Sequence, residues 1–313
     1  MKTKIVYTLV SGENDIYLAQ VAISSYTVKY YNPSAHVILV VDVQTSEYIK
    51  NKKGLLSEID DVIIVNVPND LTNKQRSRYL KTTLRHHIKG DYLFIDTDTV
   101  VAEDLSKIDD EKSKIAAVLD RNIDVNRNSM RKFIANDIKS MGLTLDNLKS
   151  KYFNSGVLFI RDVPENYDFY NKWYEYWNKV RDIDQPAFAK ANMECGYLVQ
   201  ELDGTWNCQL VENFINYLSE GKILHYFASG RQSPYLLYNN EFMKNILRKG
   251  FLSEDIKHLL EKPRSLFQDK HLLVYNGDVD YFRTYTQRIY RYHRWLFNIF
   301  EYISRMIVTK RLF

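Results

Sequence analysis

Short apolar runs alternate with longer amphipathic segments along the first hundred residues of the chain. Four runs rich in β-branched residues predict buried strands, at residues 5–10, 36–42, 62–67 and 92–95. Between them, the spacing of apolar residues predicts helices over residues 16–31, 46–58 and 74–88. Strands that alternate with helices in this way predict βαβ units on a parallel sheet, whose ligands bind beyond the carboxyl ends of the strands.

The pattern becomes less regular after residue 100. Apolar runs at residues 115–119 and 152–160 predict two further strands, and residues 165–180 predict a helix rich in Tyr and Trp. The polar stretch 121–151 has no strong periodicity. No repeat, low-complexity tract or Gly/Ser linker interrupts the chain. We therefore predict one α/β domain over residues 1–275 and a C-terminal appendage over residues 281–313.

Composition narrows the class of protein. With 313 residues, of which 45% are hydrophobic, the chain is long enough to bury a large core. The first predicted strand lacks the apolar segment of a secretory signal, and no stretch has the roughly 18 uncharged apolar residues that span a bilayer. The two cysteines, Cys195 and Cys208, favour a reducing compartment over a disulfide framework or a zinc site. We expect a cytoplasmic protein whose chain starts at this strand.

Positive charge is concentrated near the C-terminus. Residues 281–313 contain seven basic residues and one acid, a net charge of +6; the whole chain carries +4, so the remainder carries −2. From Trp295 onward, a helical projection, with Phe297 and Val308 as exceptions, gathers apolar residues on one side: Trp295, Leu296, Ile299, Phe300, Tyr302, Ile303, Met306 and Ile307. Such a helix is typical of binding to an anionic membrane surface. A helix docked on its own domain, or a dimer contact, is the alternative. We expect no nucleic-acid binding, because no recognised binding module accompanies the basic residues.

Two aspartates follow the predicted strand at residues 92–95. Only Thr97 separates Asp96 from Asp98, so alternation in an extended segment would place both carboxylates on one face at the mouth of the sheet. Two like charges so close are unfavourable unless a cation lies between them. Oxygen ligands of this kind suit Mn²⁺ or Mg²⁺, which also bind diphosphate oxygens. A turn that merely ends the strand is the alternative, since Asp and Thr are common in turns.

Other short motifs occur in a fixed order around these aspartates. They are residues 7–11 with Tyr17 and 22–25, residues 78–81, Asp120 at the end of a predicted strand, residues 153–157, the Asp184-Gln185 pair, Trp206-Asn207 and residues 224–226. In this order the chain resembles the retaining GT-A glycosyltransferases of family 8, which contains glycogenin and bacterial lipopolysaccharide galactosyltransferases. Each motif alone is weak, but the ordered set spans about residues 4–235 and is specific. The resemblance implies a GT-A fold and metal-dependent transfer of a hexose from a nucleotide sugar.

The resemblance implies roles on the donor side of the site. His225 would be the third metal ligand beside Asp96 and Asp98, its neutral imidazole completing a site otherwise made of oxygen. Leu9, Ser11 and Tyr17 would hold uracil and ribose, with an aromatic ring stacking on the base. Core packing is the alternative for Leu9 and Tyr17. Arg78, Thr97 and Arg231 would make further contacts to the substrate or cofactor. Asn154, Ser155 and Gly156 belong to a motif that the resemblance places on the acceptor side, where Asn154 and Gly156 would help to bind sugar hydroxyls. In the loop after the histidine the family has a lysine that meets the diphosphate; this chain has a longer loop, in which Arg231 would supply the same charge.

For the transfer itself, the resemblance implies catalytic roles for Lys81, Asp120, Asp184 and Gln185. A double displacement would need a carboxylate nucleophile beside the anomeric carbon. The family places Gln185 closest to that face of the sugar, and an amide is a poor nucleophile. We therefore expect front-face transfer, in which the leaving phosphate accepts the proton of the acceptor while Asp120 and Asp184 hydrogen-bond to sugar hydroxyls.

These observations together predict a retaining hexosyltransferase. It would use Mn²⁺ or Mg²⁺ and a UDP-sugar, UDP-galactose or UDP-glucose, and would act on a glycan acceptor, a lipid-linked intermediate of a capsular or lipopolysaccharide glycan. The basic appendage would place it at the inner face of the cell membrane.

Two alternative functions stay open. A sugar nucleotidyltransferase should have a Gly-rich phosphate loop near residue 10. Gly12 is the single glycine among residues 8–14, which disfavours this alternative. A non-catalytic nucleotide-sugar-binding protein should have lost either the metal ligands or the acceptor wall, and both sets are present in the sequence.

Overall fold

Strands and helices alternate through most of the chain. The computed structural model describes residues 1–128, 130–210, 220–226, 240–264, 272–275 and 278–281, with residues 289, 293, 295–297, 299–300 and 302–303. The strands in these ranges are β1 (Lys4–Leu9), β2 (Val37–Asp42), β3 (Asp61–Val65), β4 (Tyr92–Ile95), β5 (Thr99–Val101), β6 (Ile115–Leu119), β7 (Phe153–Ile160), β8 (Val199–Glu201), β9 (Cys208–Gln209), β10 (Ile223–His225), β11 (Leu272–Tyr275) and β12 (Asp278–Tyr281). The helices are α1 (Tyr17–Tyr31), α2 (Val43–Ile49), α3 (Asn73–Thr82), α4 (Arg131–Lys139), α5 (Pro164–Val180), α6 (Gln185–Glu194), α7 (Asn240–Lys249) and α8 (Glu254–Leu260).

A seven-stranded sheet in the order β3-β2-β1-β4-β7-β6-β8 forms the centre of the molecule. The predicted parallel pairing is correct for β1 to β4. Strand β7, for which the sequence predicted no direction, is antiparallel to both β4 and β6. Because β7 runs the other way, its first residues lie at the same edge as the last residues of β1, β4 and β6. This edge therefore collects side chains from four strands.

The core consists of two apolar layers, one on each face of the sheet. One layer contains α1, which is buried on nearly all sides, as its almost uniformly apolar or small residues require. The other contains α5, whose aromatic residues Phe169, Tyr170, Trp173 and Trp177 are each 0% exposed. Each fully buried side chain of this size contributes about 1.5–3 kcal/mol. The Tyr- and Trp-rich segment predicted as a helix is thus the main packing element of its face.

A small three-stranded sheet in the order β5-β10-β9 lies next to the end of β4. Strand β5 begins at Thr99, one residue after Asp98, and pairs antiparallel with β10 so that Thr99 faces His225. This register brings His225 beside the two aspartates although more than a hundred residues separate them in the chain.

Several predicted helix bounds were wrong. In place of the helix expected over residues 46–58, α2 covers Val43–Ile49 and a short 3-10 helix covers Lys53–Leu55. Asp42 caps α2 by accepting a hydrogen bond from the Thr45 N–H. The helix expected over residues 74–88 begins with a capping box at Thr72 and ends at Thr82. The stretch 121–151, which showed no periodicity, contains α4, of which Ile134 and Ile138 are buried.

The C-terminal segment is described only in part. Strands β11 and β12 pair antiparallel, with Leu272 opposite Tyr281, so this hairpin straddles the predicted boundary between residues 275 and 281. The division into two domains stays a prediction. Among the described residues, no helix is both long enough and apolar enough to cross a membrane.

Candidate active site and metal centre

Three potential metal ligands converge at the edge of the sheet where β1, β4 and β6 end and β7 begins. Asp96, Asp98 and His225 each offer one ligand atom, and these atoms all lie within 4.8 Å of one another. Asp96 and Asp98 lie in the turn between β4 and β5, so the turn, and not alternation along a strand, brings the carboxylates together. Two carboxylates and an imidazole fit a divalent ion such as Mn²⁺.

Gly156 of β7 packs directly against this group. Its carbonyl accepts a hydrogen bond from the Asp96 N–H at 2.7 Å. A Cβ at this position would collide with His225 Cε1 and lie 2.8 Å from Asp96 Oδ2. The site therefore requires glycine, because only a residue without a side chain lets the backbone come this close.

The three ligand groups influence one another's ionisation. Burial raises the pKa of Asp96, and the charge of Asp98 adds to this, against the opposing effect of Lys81. Burial also raises the pKa of Asp98, but the charge and hydrogen bond of His225 outweigh it, so the net shift is downward. Burial lowers the pKa of His225, and Asp98 more than compensates, so the imidazole pKa is raised. The raised pKa of His225 therefore reflects the two carboxylates beside it, which would also attract a metal cation.

Two basic side chains of α3 lie beside the carboxylates. Lys81 is buried, and its Nζ lies 3.2 Å from Asp96 Oδ1 and 3.8 Å from Asp184 Oδ2. Arg78 Nε lies 2.9 Å from Asp184 Oδ1, and the Ser155 hydroxyl donates to Asp184 Oδ2 at 2.9 Å. Burial raises the pKa of Asp184, but Lys81 and Arg78 outweigh burial and lower it. Asp184 is therefore an ion-paired carboxylate.

The loop that carries Asp184 and Gln185 is anchored by α5. Trp173 Nε1 donates to the carbonyl of Asp184 and Trp177 Nε1 donates to the carbonyl of Asp182, both at 3.0 Å. Gln185 begins α6, and its Nε2 donates to Asp120 Oδ1 at 3.2 Å. The aromatic core thus fixes the two residues of this motif in place.

A cavity of about 290 Å³ opens beyond the carboxyl ends of β1 and β4. Its wall consists of Thr8, Leu9, Val10, Tyr17, Gln20, Asn73, Lys74, Ser77, Arg78, Asp96, Thr97 and Asp98. Tyr17 is 49% exposed, which excludes core packing as its only role, whereas Leu9 is buried. Ser11 is not part of this wall: its hydroxyl donates to Asp15 Oδ1 at 2.6 Å. Position 231 lies outside the described residues, so the structure says nothing of Arg231.

A second cavity, of about 410 Å³, lies on the other side of the metal ligands. It is lined by the motif residues Lys81, Asp120, Asn154, Ser155, Gly156, Asp184 and Gln185, and it shares Arg78, Asp96 and Asp98 with the first cavity. Phe133 and Ile183 also line it and are 62% and 43% exposed. Sequence reasoning missed these two residues, and the exposure of an aromatic residue on α4 was not visible in a stretch without periodicity.

The family profile of glycosyl transferase family 8 matches residues 9–231, well over half of the chain. The chain belongs to glycosyltransferase family 8. The range that matches the family 8 profile contains every residue for which the sequence predicted a site role. A search of curated proteins found no match.

Solved structures of other glycosyltransferases resemble this family 8 chain. The bifunctional glycosyltransferase WbbM matches with a TM-score of 0.52 at 16% identity, over 83% of this chain and 51% of WbbM. The chain therefore spans about half the length of WbbM. Mouse xyloside xylosyltransferase 1 matches with a TM-score of 0.47 at 16% identity, over 71% of this chain and 97% of the mouse protein. GlyE of Streptococcus pneumoniae matches with a TM-score of 0.46 at 16% identity, over 82% of this chain and 63% of GlyE. The likeness to WbbM shows the fold, and the predicted GT-A fold is confirmed.

Proposed function

We propose that this family 8 glycosyltransferase transfers galactose or glucose from a UDP-sugar to a glycan acceptor, with retention of configuration and with Mn²⁺ at Asp96, Asp98 and His225. The observation that carries the proposal is the position of these three ligands at the boundary between two cavities. The three residues would hold a metal where it could supply positive charge to the diphosphate of a donor in one cavity, while the sugar of that donor would enter the other. Mg²⁺ is the alternative ion for the same ligand set.

The first cavity has the features that a uridine diphosphate requires. Tyr17 presents a half-exposed ring on which a base stacks. Thr97 donates to Gln20 Oε1 at 3.2 Å, which holds a polar wall beside the two aspartates. Asp15 accepts hydrogen bonds from the Ser11 hydroxyl and the Gly12 N–H, so we assign Ser11 to the organisation of the loop that borders this cavity.

Departure of UDP leaves negative charge that the site must stabilise. When bound, the metal supplies positive charge at the diphosphate. Arg78 lines both cavities and Lys81 lines the second. Asp184 already holds Arg78 in position, and Asp96 holds Lys81. Preorganised charges of this kind need no reorganisation during the reaction, which makes them effective in catalysis.

The hydrogen bonds around the reacting sugar favour front-face transfer. Both oxygens of Asp184 are engaged, by Arg78 on one side and by Ser155 and Lys81 on the other, which makes this carboxylate a poor nucleophile. The neighbouring Gln185 offers only an amide. In our proposal the acceptor therefore attacks on the face that UDP leaves, and the leaving phosphate accepts its proton.

The wall of the second cavity suits a sugar as acceptor. Its floor is polar and contains Asp120 and Asn154, whereas Phe133 and Ile183 present apolar surface to solvent at positions that line the same cavity. A pyranose ring has an apolar C–H face and a polar edge of hydroxyls, so it matches both surfaces. We propose that Phe133 stacks on the acceptor ring.

The C-terminal segment supports a lipid-linked acceptor at an anionic membrane surface. Trp295, Phe300 and Tyr302 are 67%, 50% and 65% exposed, whereas Phe297 is 3% exposed. Among the described residues of this segment, Phe297 is therefore buried, whereas those of the side predicted to be apolar are exposed, apart from the partly buried Leu296. Together with the +6 charge of residues 281–313, this exposed side suits the inner face of the cell membrane.

A panel of UDP-sugars tests the proposal. The purified chain is incubated with each UDP-sugar and Mn²⁺, and UDP release by slow hydrolysis is measured with and without a chelator. We expect metal-dependent release from UDP-galactose or UDP-glucose. Tight binding of a UDP-sugar without any release of UDP would instead identify a binding protein. Metal-independent release, or release from neither sugar, would contradict the proposal.

A further inference from the structure

A chain of buried amides connects His225 with the backbone of β7. His225 Nδ1 lies 2.9 Å from Asn207 Oδ1, and Asn207 Nδ2 lies 2.9 Å from Asn154 Oδ1. Asn154 Oδ1 also accepts the backbone N–H of Gly156 at 2.9 Å. Asn207 is 0% exposed and Asn154 is 5% exposed. Burial excludes bulk water as an alternative partner for these atoms.

The backbone N–H of Gly156 fixes the direction of each hydrogen bond between Gly156, Asn154, Asn207 and His225. Side-chain amides can be placed with oxygen and nitrogen exchanged, and the tautomer of a neutral histidine must be inferred. A backbone N–H, however, can only donate, so the Asn154 atom facing it is the oxygen. That oxygen requires a donor from Asn207, so the Asn207 amide nitrogen points to Asn154 and its oxygen points to His225.

The other end of Asn154 agrees with this assignment. Its Nδ2 donates to Asp120 Oδ1 at 3.3 Å, and a carboxylate oxygen is an acceptor. Both ends of the Asn154 amide are thus specified independently. Because the oxygen of Asn207 faces Nδ1 of His225, that ring nitrogen must carry the proton.

We propose that Asn207 is a positioning residue, which holds the proton of His225 on Nδ1 and thereby presents Nε2 to the metal. The inference rests on the proposed metal site and adds a residue to it that does not touch the ion. Nε2 is the ring nitrogen on the side of the aspartates, 3.2 Å from Asp98 Oδ1. A histidine ligand generally needs such a partner on its other nitrogen, and loss of that partner typically costs 10- to 100-fold in metal affinity.

Metal binding by substituted proteins tests the role of Asn207. The probe is Mn²⁺ alone, with free ion measured by electron paramagnetic resonance. Asn207→Leu removes the acceptor, and we expect its affinity to fall by about 10- to 100-fold. Asn207→Asp keeps an acceptor facing Nδ1, so its loss should be smaller. Asn166→Leu is the matched control, because Asn166 is 0% exposed but donates only to the carbonyls of residues 114 and 161. We expect it to bind Mn²⁺ like the unsubstituted protein.

Nitrogen NMR of the unsubstituted protein gives a second readout, which needs no variant to fold. With Zn²⁺ as a diamagnetic probe, we expect the proton of His225 on Nδ1 and the metal on Nε2. The opposite assignment would overturn the proposal, and so would an Asn207→Leu protein that is folded and binds Mn²⁺ as tightly as the unsubstituted one. If neither ion binds the unsubstituted protein, the metal site itself is wrong. In that case the metal-free protein still tests the role of Asn207. A slowly exchanging proton on His225 Nδ1 would support the hydrogen bond to Asn207, and the lack of such a proton would contradict it.

Discussion

The two cavities that meet at the metal ligands are constructed differently. The first cavity, proposed for the donor and called the donor cavity below, lies beyond the ends of the parallel strands β1 and β4, and its wall comes from those ends, from α1 and α3, and from the turn after β4. The second cavity, proposed for the acceptor and called the acceptor cavity below, depends on the antiparallel strand β7, the helix α4 and the N-terminus of α6. The first is a consequence of regular βαβ topology, whereas the second depends on contacts between distant parts of the sequence. Substitutions that affect one cavity and spare the other can therefore test whether the two are functionally separate.

The largest effect is expected where the cavities meet. Asp98→Asn replaces a charged ligand by a neutral amide of the same shape, which weakens both metal and UDP binding. We expect kcat/KM for UDP-sugar hydrolysis to fall by at least about 10³-fold, which corresponds to about 4 kcal/mol. Circular dichroism should show an unchanged fold. Full activity of this variant in the presence of a chelator would disprove the metal site.

Gly156→Ala should also affect both sides, through packing and not through charge. The added methyl group collides with His225 Cε1 and approaches Asp96 Oδ2, so two ligands must move. We expect weaker Mn²⁺ binding and a loss of turnover on the order of 10²-fold, since small displacements of catalytic groups have costs of this size. Gly12→Ala is the control, because a Cβ at Gly12 meets nothing within 4 Å. Equal Mn²⁺ affinity in the two variants would contradict the packing argument.

The difference between the cavities also explains which features could be predicted from the sequence. The strands β1, β2 and β4 are apolar runs that end in polar residues, so the local pattern alone identified Asp96 and Asp98 as candidate metal ligands, with a strand-ending turn as the alternative. His225 could not, because its approach depends on the pairing of β10 with β5, which no periodicity encodes. The family resemblance supplied His225 as a candidate. It did so because the order of the motifs reflects the fold that brings them together.

The acceptor side was predicted less completely. Helix α4 lies in a polar stretch without clear hydrophobic periodicity, so the sequence pattern did not indicate a role for the exposed aromatic residue Phe133. The direction of β7 was also missed, because a fully buried strand has the same apolar pattern in a parallel and in an antiparallel position. Hydrogen bonds between side chains, such as those from Asn154 and Gln185 to Asp120, likewise leave no trace in local sequence.

A substitution at Gln185 should act on the sugar and leave the nucleotide alone. Gln185 lines the acceptor cavity and is not part of the donor wall. We expect Gln185→Ala to lower kcat by roughly 10- to 100-fold, which is the cost of one unsatisfied polar contact of about 1–3 kcal/mol, while the affinity for UDP changes little. Steady-state kinetics and UDP binding separate the two quantities. The product from an α-linked donor should be α-linked by NMR, and a β-linked product would refute retention.

Phe133→Ala should affect only the acceptor. Stacking on a ring contributes about 1 kcal/mol, so we expect KM for a sugar acceptor to rise by roughly fivefold while UDP-sugar hydrolysis is unchanged. Phe251→Ala is the matched control, since Phe251 is 51% exposed but is not part of either cavity wall. If both variants have the same KM for the acceptor, Phe133 does not contact the sugar.

The smallest effect on catalysis is expected from the C-terminal segment, whose described residues line neither cavity. Trp295 and Phe300 are exposed, so Trp295→Ala combined with Phe300→Ala removes apolar surface without opening a cavity in the core. We expect this variant to dissociate from anionic liposomes while UDP-sugar hydrolysis and Tm remain unchanged. The control Phe297→Ala removes a buried side chain and should lower Tm.

Salt dependence distinguishes a membrane role from a structural one. Each basic side chain near an anionic surface contributes about 1 kcal/mol, and this attraction is screened by salt. Deleting residues 281–313 should abolish liposome binding and leave hydrolysis nearly unchanged, because Asp96, Asp98 and His225 lie outside the deleted segment. Loss of the fold on deletion would show that the segment covers the domain. Failure of the full chain to bind anionic liposomes at low salt would show that its exposed aromatic residues serve a contact other than a membrane.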